Sequence, residues 1–137
     1  MSKWRDLPRL EEKVCSHRLN AIGDALYVVG GKWKLKVIVA LMSGPLRFNE
    51  IQRTVKGISA KVLASELKEL EMNGFARRNV YTGNPVVVEY ELTDYSFTLR
   101  PVLDALSEWG AMHKSRLMHG TGIADQADMR VENEGSR

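Results

Sequence analysis

The chain has 137 residues, 44% hydrophobic and 27% charged, the profile of one globular domain rather than a fibre or a disordered segment. A single cysteine excludes an internal disulfide and any multi-cysteine metal centre. The longest apolar run, residues 37–42, is far shorter than the roughly 18 residues of a membrane helix, and the opening MSKWRDLPRLEEK lacks the apolar stretch of a signal peptide, so the expected location is the cytoplasm. The net charge of +3 permits a nucleic-acid partner without requiring one.

A first helix is predicted from the stripe Cys15, Leu19, Ile22, Leu26 and Val29, whose steps of 4, 3, 4 and 3 keep to one helical face. Pro8 suits its first turn, and Gly30-Gly31 ends it. A second helix over 32–43 is apolar nearly all round and is expected to be buried on most sides, with Gly44-Pro45 as its stop. Leu46, Arg47 and Phe48 read as a one-pair strand. Asn49 is placed to cap a short helix over 50–55. Lys56-Gly57-Ile58 makes a tight turn, and Ser59 caps a helix reaching about Met72, where Asn73-Gly74 ends it.

Beyond Gly74 the period becomes alternating. Residues 75–81 and 86–92 read as strands joined through Thr82-Gly83-Asn84-Pro85 as a hairpin. On the second strand Val86, Val88, Tyr90 and Leu92 are expected to be buried, and Val87, Glu89 and Glu91 wet. Thr93-Asp94 signals a last helix carrying Phe97, Leu99, Val102, Leu103, Leu106, Trp109 and Met112, with Pro101 either kinking it or marking its true start. Two short helices across a tight turn, followed by a β-hairpin, make a winged helix-turn-helix. The fold class is therefore α+β and mostly helical.

The helix over 59–72 is the most informative element. Leu63, Leu67 and Leu70 share one face and must point inward. Lys61, Ala64, Ser65 and Lys68 fall on the opposite face. Cations there suit phosphates, short hydroxyls suit base edges, and a methyl suits thymine. The rival reading of this helix by itself is an ordinary amphipathic helix with a solvated Lys-Glu face. The hairpin adds Arg77 and Arg78, with Tyr81 and Asn84 near its tip, a composition suited to the DNA backbone or minor groove. Lys32, Arg47 and Asn49 are further candidates for phosphate contact, and Lys34 is either another or simply solvated. Between Arg47 and Asn84 seven cations face four anions, while residues 120–137 hold four anions and two cations. That last stretch reads as a disordered tail.

Several runs together are similar to the HxlR-type transcriptional regulators, relatives of the MarR-type winged helices. They are Val29-Gly30-Gly31-Lys32-Trp33-Lys34-Leu35, Gly44-Pro45-Leu46-Arg47-Phe48-Asn49-Glu50-Ile51, Gly57-Ile58-Ser59-Ala60-Lys61-Val62-Leu63, Leu67-Lys68-Glu69-Leu70-Glu71, Val88-Glu89-Tyr90-Glu91-Leu92-Thr93 and Leu99-Arg100-Pro101-Val102-Leu103. The resemblance implies a homodimer formed through the first and last helices, with Leu19, Ile22, Leu26, Leu103, Leu106 and Trp109 at the interface. It implies binding to a palindromic promoter site in double-stranded DNA, one recognition helix per major groove, with repression the expected outcome. It also implies a possible electrophile, redox or small-molecule effector. The expected organisation is an N-terminal arm over 1–14, a DNA-binding and dimerisation domain over 15–119, and the tail over 120–137. A protein-interaction module without specific DNA binding is the alternative.

Two readings of Cys15 stand side by side. In some members of that family an N-terminal cysteine senses oxidants, and Lys13, His17 and Arg18 lie near Cys15 in the sequence. Alternatively Cys15, on the apolar stripe, is a small buried hydrophobe. Trp33 and Trp109 either frame an effector pocket or fill core and dimer packing, and Met42, Met72 and Met112 read as gap fillers. His17, His113 and His119 are too dispersed for a ligand cluster. No paired carboxylates, nucleophile elbow, phosphate loop or metal cluster is evident, so neither catalysis nor a cofactor or metal is expected.

Overall fold

A computed structural model describes residues 3–119. The expected tail over 120–137 lies outside the described residues. The chain divides into two compact units, the boundary falling between Thr93 and Asp94.

In the first unit a short 3-10 turn, Lys3–Asp6, precedes α1, Glu12–Val29. Pro8 lies ahead of α1 rather than in its first turn. Gly30 ends the helix as expected, its N–H donating to the Leu26 carbonyl at 2.7 Å. A Cβ on Gly30 would meet that same carbonyl oxygen, so only glycine fits. Next come α2 (Lys34–Leu41), β1 (Leu46–Arg47), α3 (Phe48–Thr54) and α4 (Ala60–Met72), then β2 (Ala76–Tyr81) and β3 (Val87–Leu92).

Helix α3 begins two residues before its expected start. Its first turn is closed by Glu50, whose Oε1 accepts the Arg47 N–H at 2.8 Å, so Asn49 lies inside the helix and is not its cap. The turn into α4 uses Gly57 at a φ of +90° and is tied down by Gln52, whose Nε2 donates to the Ile58 carbonyl. The core of this unit is built from Val37, Ile38 and Leu41 of α2, Ile51 of α3, Leu63, Leu67 and Leu70 of α4, and Val55, Ile58 and Phe75 beside them. Helix α2 is less enclosed than its sequence suggests, because Val39 and Met42 face outward. Met72 and Met112 are likewise exposed and fill no gap.

The sheet is antiparallel in the order β1-β3-β2. Leu46 pairs with Tyr90 and Arg47 with Glu89 on one edge, while Ala76 to Tyr81 run against Leu92 to Val87 on the other. The clean buried-or-wet alternation expected of β3 is absent: residues 87–92 are all half-buried, and Val86, before the strand, is exposed. As the central strand, β3 has β2 along its whole length and β1 opposite Glu89 and Tyr90, and the Arg77 and Asn79 side chains cover Glu91.

The second unit holds a 3-10 turn, Asp94–Leu99, and α5, Arg100–His119. Pro101 thus marks the true helix start, where its missing N–H has no intrahelical acceptor to lose. Among the described residues no helix is long and apolar enough to cross a membrane. The architecture is that of a winged helix-turn-helix, mostly helical with one small sheet.

Candidate nucleic-acid interface

Helix α4 starts where Ser59 predicts. The Ser59 Oγ accepts the Val62 N–H at 3.1 Å, satisfying one of the free donors of the first turn. Leu63, Leu67 and Leu70 are essentially inaccessible, and Lys61, Ala64, Ser65 and Lys68 are exposed, as their helical spacing requires. Among the described residues Lys61 and Lys68 form no ion pair, so both charges are available to a partner.

Two of the three carboxylates of α4, Glu66 and Glu69, are paired with a lysine of another helix. Lys34, the first residue of α2, is only 9% exposed. Its Nζ lies 2.8 Å from Glu66 Oε1 and 2.8 Å from Glu69 Oε1. Burial by itself would lower the Lys34 pKa. The hydrogen bonds and negative charge of Glu66 and Glu69 outweigh it and hold the value above the ordinary 10.5. Lys34 is therefore neither a phosphate contact nor solvated. A usable sequence signal existed, since Lys34 stands at helical spacing from Val37, Ile38 and Leu41 and so shares their inner face.

Lys32 is exposed, as a phosphate contact must be. Its Nζ lies 4.9 Å from the Trp33 ring centroid, and Lys36 Nζ lies 5.3 Å from it, so one indole carries two cations. Lys36 did not stand out in the sequence. The same ring is adjacent to Gly57, placing it beside the turn into α4. Trp33 is half-buried. Arg47 and Asn49 are exposed, and so remain candidates for phosphate contact.

The wing divides in two. Successive residues of a strand point to opposite faces, so Arg77, Asn79 and Tyr81 share one side of β2 while Arg78 lies on the other. Arg77 opposes Glu91 in register, and its Nε approaches Glu91 Oε1 at 3.3 Å. The Asn79 Nδ2 donates to the same oxygen at 2.9 Å. The hydrogen bond from Asn79, and then Arg77, hold the Glu91 carboxyl below its ordinary value. Arg78 is exposed and, among the described residues, makes no ion pair. Tyr81 and Asn84 are exposed near the tip, where the Asn84–Pro85 peptide is cis.

Two apolar stripes are open. On α1 Leu19, Ile22 and Leu26 are each more than half exposed. Cys15, on the same stripe, is exposed too, so the expectation of a buried thiol fails in the single chain. The periodicity is real, but in the single chain these side chains remain open. On α5 Val102, Leu106, Trp109 and Met112 are exposed, with Trp109 stacked on His113 at 4.8 Å. Leu103 departs from the expected interface because it is buried within the chain itself. It sits about 100° round the helix from Val102, outside the open stripe.

Comparison with known proteins agrees with this architecture. The profile of the HxlR-like helix-turn-helix family matches residues 28–118. An HTH-type transcriptional regulator of Halalkalibacterium halodurans, BH0655, is 44% identical over 94 residues, which cover 68% of this chain and 83% of that protein. Among solved structures, the redox regulator HypR in its reduced form is 37% identical with a TM-score of 0.67, covering 72% of this chain and 97% of that one. YodB from B. subtilis, in its quinone-bound form, is 34% identical with a TM-score of 0.57, covering 68% and 98%. The match spans the helix-turn-helix, the hairpin and most of α5, and the relatives are transcriptional regulators of this type. The chain belongs to the HxlR-like helix-turn-helix family.

Proposed function

We propose that the protein is a homodimeric transcriptional regulator that occupies a palindromic site in duplex DNA and represses the adjacent promoter. The observation that carries this reading is α4. A capped helix presents Lys61, Ala64, Ser65 and Lys68 outward from a buried leucine face, directly after a helix and a tight turn. In the major groove those side chains meet phosphates and base edges, with Ser59 at the leading end of the helix. Lys32, Arg47 and Asn49 supply backbone contacts. Arg78 and the tip residues Tyr81 and Asn84 extend the interface from the wing, and Arg77 contributes less because Glu91 already holds it.

The working unit is residues 15–119, acting in the cytoplasm. A second copy covers the open stripes of α1 and α5, with Leu19, Ile22 and Leu26 on the first and Leu106 and Trp109 on the second. Two copies place two recognition helices on half-sites about one helical turn apart, or a multiple of it. HypR is known in oxidised and reduced forms and YodB in a quinone-bound form, which supports a redox or electrophile signal here, received at the exposed Cys15. With one cysteine per chain, oxidation to a disulfide must join two chains, or one chain and a small thiol. The oxidant takes up the two electrons and two protons that the pair of thiols releases.

Selection of bound sites from a random pool of duplexes, followed by salt titration of the enriched sequence, tests the reading. Enrichment of inverted half-sites with affinity falling steeply in salt is the expected result. Weak, salt-insensitive binding without enrichment would refute it and leave the fold as a protein-interaction module.

A further inference from the structure

Helix α4 carries an electrostatic contradiction. Its own residues include Lys61 and Lys68 but also Glu66, Glu69 and Glu71, a net charge of −1 on the element offered to a polyanion. Duplex DNA presents about one negative charge per 1.7 Å of its axis, so uncompensated carboxylates on that helix oppose its approach. The compensating charge comes from a different element. Lys34, 32 residues away along the chain from Glu66, places one ammonium on both Glu66 and Glu69.

We infer that Lys34 is a positioning residue for DNA recognition: it masks the two carboxylates of the recognition helix and fixes how that helix is rotated on the core. This role rests on the DNA-binding reading above. The geometry supports both halves of it. The Lys34 and Glu66 side chains are only 11% and 12% exposed, so this bridge is sheltered from solvent and salt. Glu69, with its side chain half exposed, stands nearer the water and gains a partner it would otherwise lack. Glu66 and Glu69 stand at i, i+3, about one turn of α4 apart, so one ammonium holding both resists rotation of the helix about its axis. Lys61, Ala64, Ser65 and Lys68 are then held outward at a fixed angle. The one carboxylate of α4 outside this arrangement, Glu71, is close to the C-terminal end of the helix.

The test compares four chains on the selected duplex and on an unrelated one, across a salt series: wild type, Lys34→Met, Glu66→Gln/Glu69→Gln, and the triple variant combining all three changes. Lys34→Met is expected to bind the selected site about tenfold more weakly in low salt, the loss shrinking as salt screens the unmasked carboxylates. Its preference for the selected over the unrelated duplex should also narrow. Glu66→Gln/Glu69→Gln should bind at least as tightly as wild type in low salt, because two carboxylates no longer oppose the polyanion. The triple variant, with no carboxylate left to mask, should recover low-salt affinity within about threefold, while its preference for the selected duplex stays narrowed because nothing then pins the helix. If Lys34→Met does not fold, the double and triple variants decide the matter alone. Wild-type affinity and preference in folded Lys34→Met overturn the role, as does a folded triple variant that stays tenfold weak. A wild-type chain that binds no duplex in a salt-dependent way refutes the DNA reading itself, and this role with it.

Discussion

Replacing Lys61 with alanine is the sharpest test of which charges face DNA. Lys61 is exposed on the outer face of α4 and has no ion-pair partner among the described residues. If the proposed interface holds, its removal takes one phosphate contact from each protomer and two from a dimer. Each contact contributes about 0.9 to the slope of log affinity against log salt, so the slope should become shallower by about 1.8. Between 50 and 200 mM salt the wild-type affinity should therefore fall about twelvefold further than that of the variant. Fold stability should stay within about 0.5 kcal/mol, since an exposed, unpaired side chain holds nothing in place. Arg77→Ala is the internal comparison. Glu91 already neutralises part of that guanidinium, so its slope change should be clearly smaller. Fluorescence anisotropy of a labelled duplex across a salt series reads both. An unchanged slope in Lys61→Ala, with folding intact, refutes the placement of this face against phosphate.

Three further outcomes follow from the same geometry. Ser59→Ala removes the acceptor of the Val62 N–H and should cost about 1 kcal/mol, a fall of roughly 3–5 °C in the thermal midpoint for a domain of this size; an unchanged midpoint would show the cap to be idle. Ile22→Glu puts a charge in the open α1 stripe without touching the core. Sedimentation should show a dimer becoming a monomer, while a persisting dimer would place the interface elsewhere. The Glu91 carboxyl is held below its ordinary value of 4.5 in the folded chain, so its pairing stabilises the fold above that pH and is lost as pH falls through the lower folded value. Acid titration of Glu91→Gln should show a stability gap to wild type at neutral pH that closes as pH falls through the lowered folded value; a gap that persists in acid would contradict the assignment.

Much of the interface was legible because helical geometry is local. The Ser59 cap, the stop at Gly30, the turn at Gly57 and the inward spacing of Leu63, Leu67 and Leu70 depend only on residues a few positions apart. Where the sequence misled, a second segment was involved. Asn49 had the composition of a cap, but the start of α3 is set by where β1 pairs with β3, and Glu50 closes the turn instead. The alternation of β3 was correct in period and wrong in consequence, since β2 runs beside every position and β1 adds to it at Glu89 and Tyr90.

The stripe on α1 shows the same limit from the other side. Its apolar period is plain in the sequence, yet period alone does not say whether core or a second chain will cover it. The sequence by itself determined the order of elements, the inner and outer faces of α4, and the family resemblance carried by its motifs. Only the tertiary structure decided which charges remain available. It put Lys34 between Glu66 and Glu69, set Arg77 against Glu91, and left Lys61, Lys68 and Arg78 without an ion pair among the described residues. The physical reason is that a charge pair depends on the register of one packed element against another, and segments far apart along the chain acquire that register only when the core between them closes.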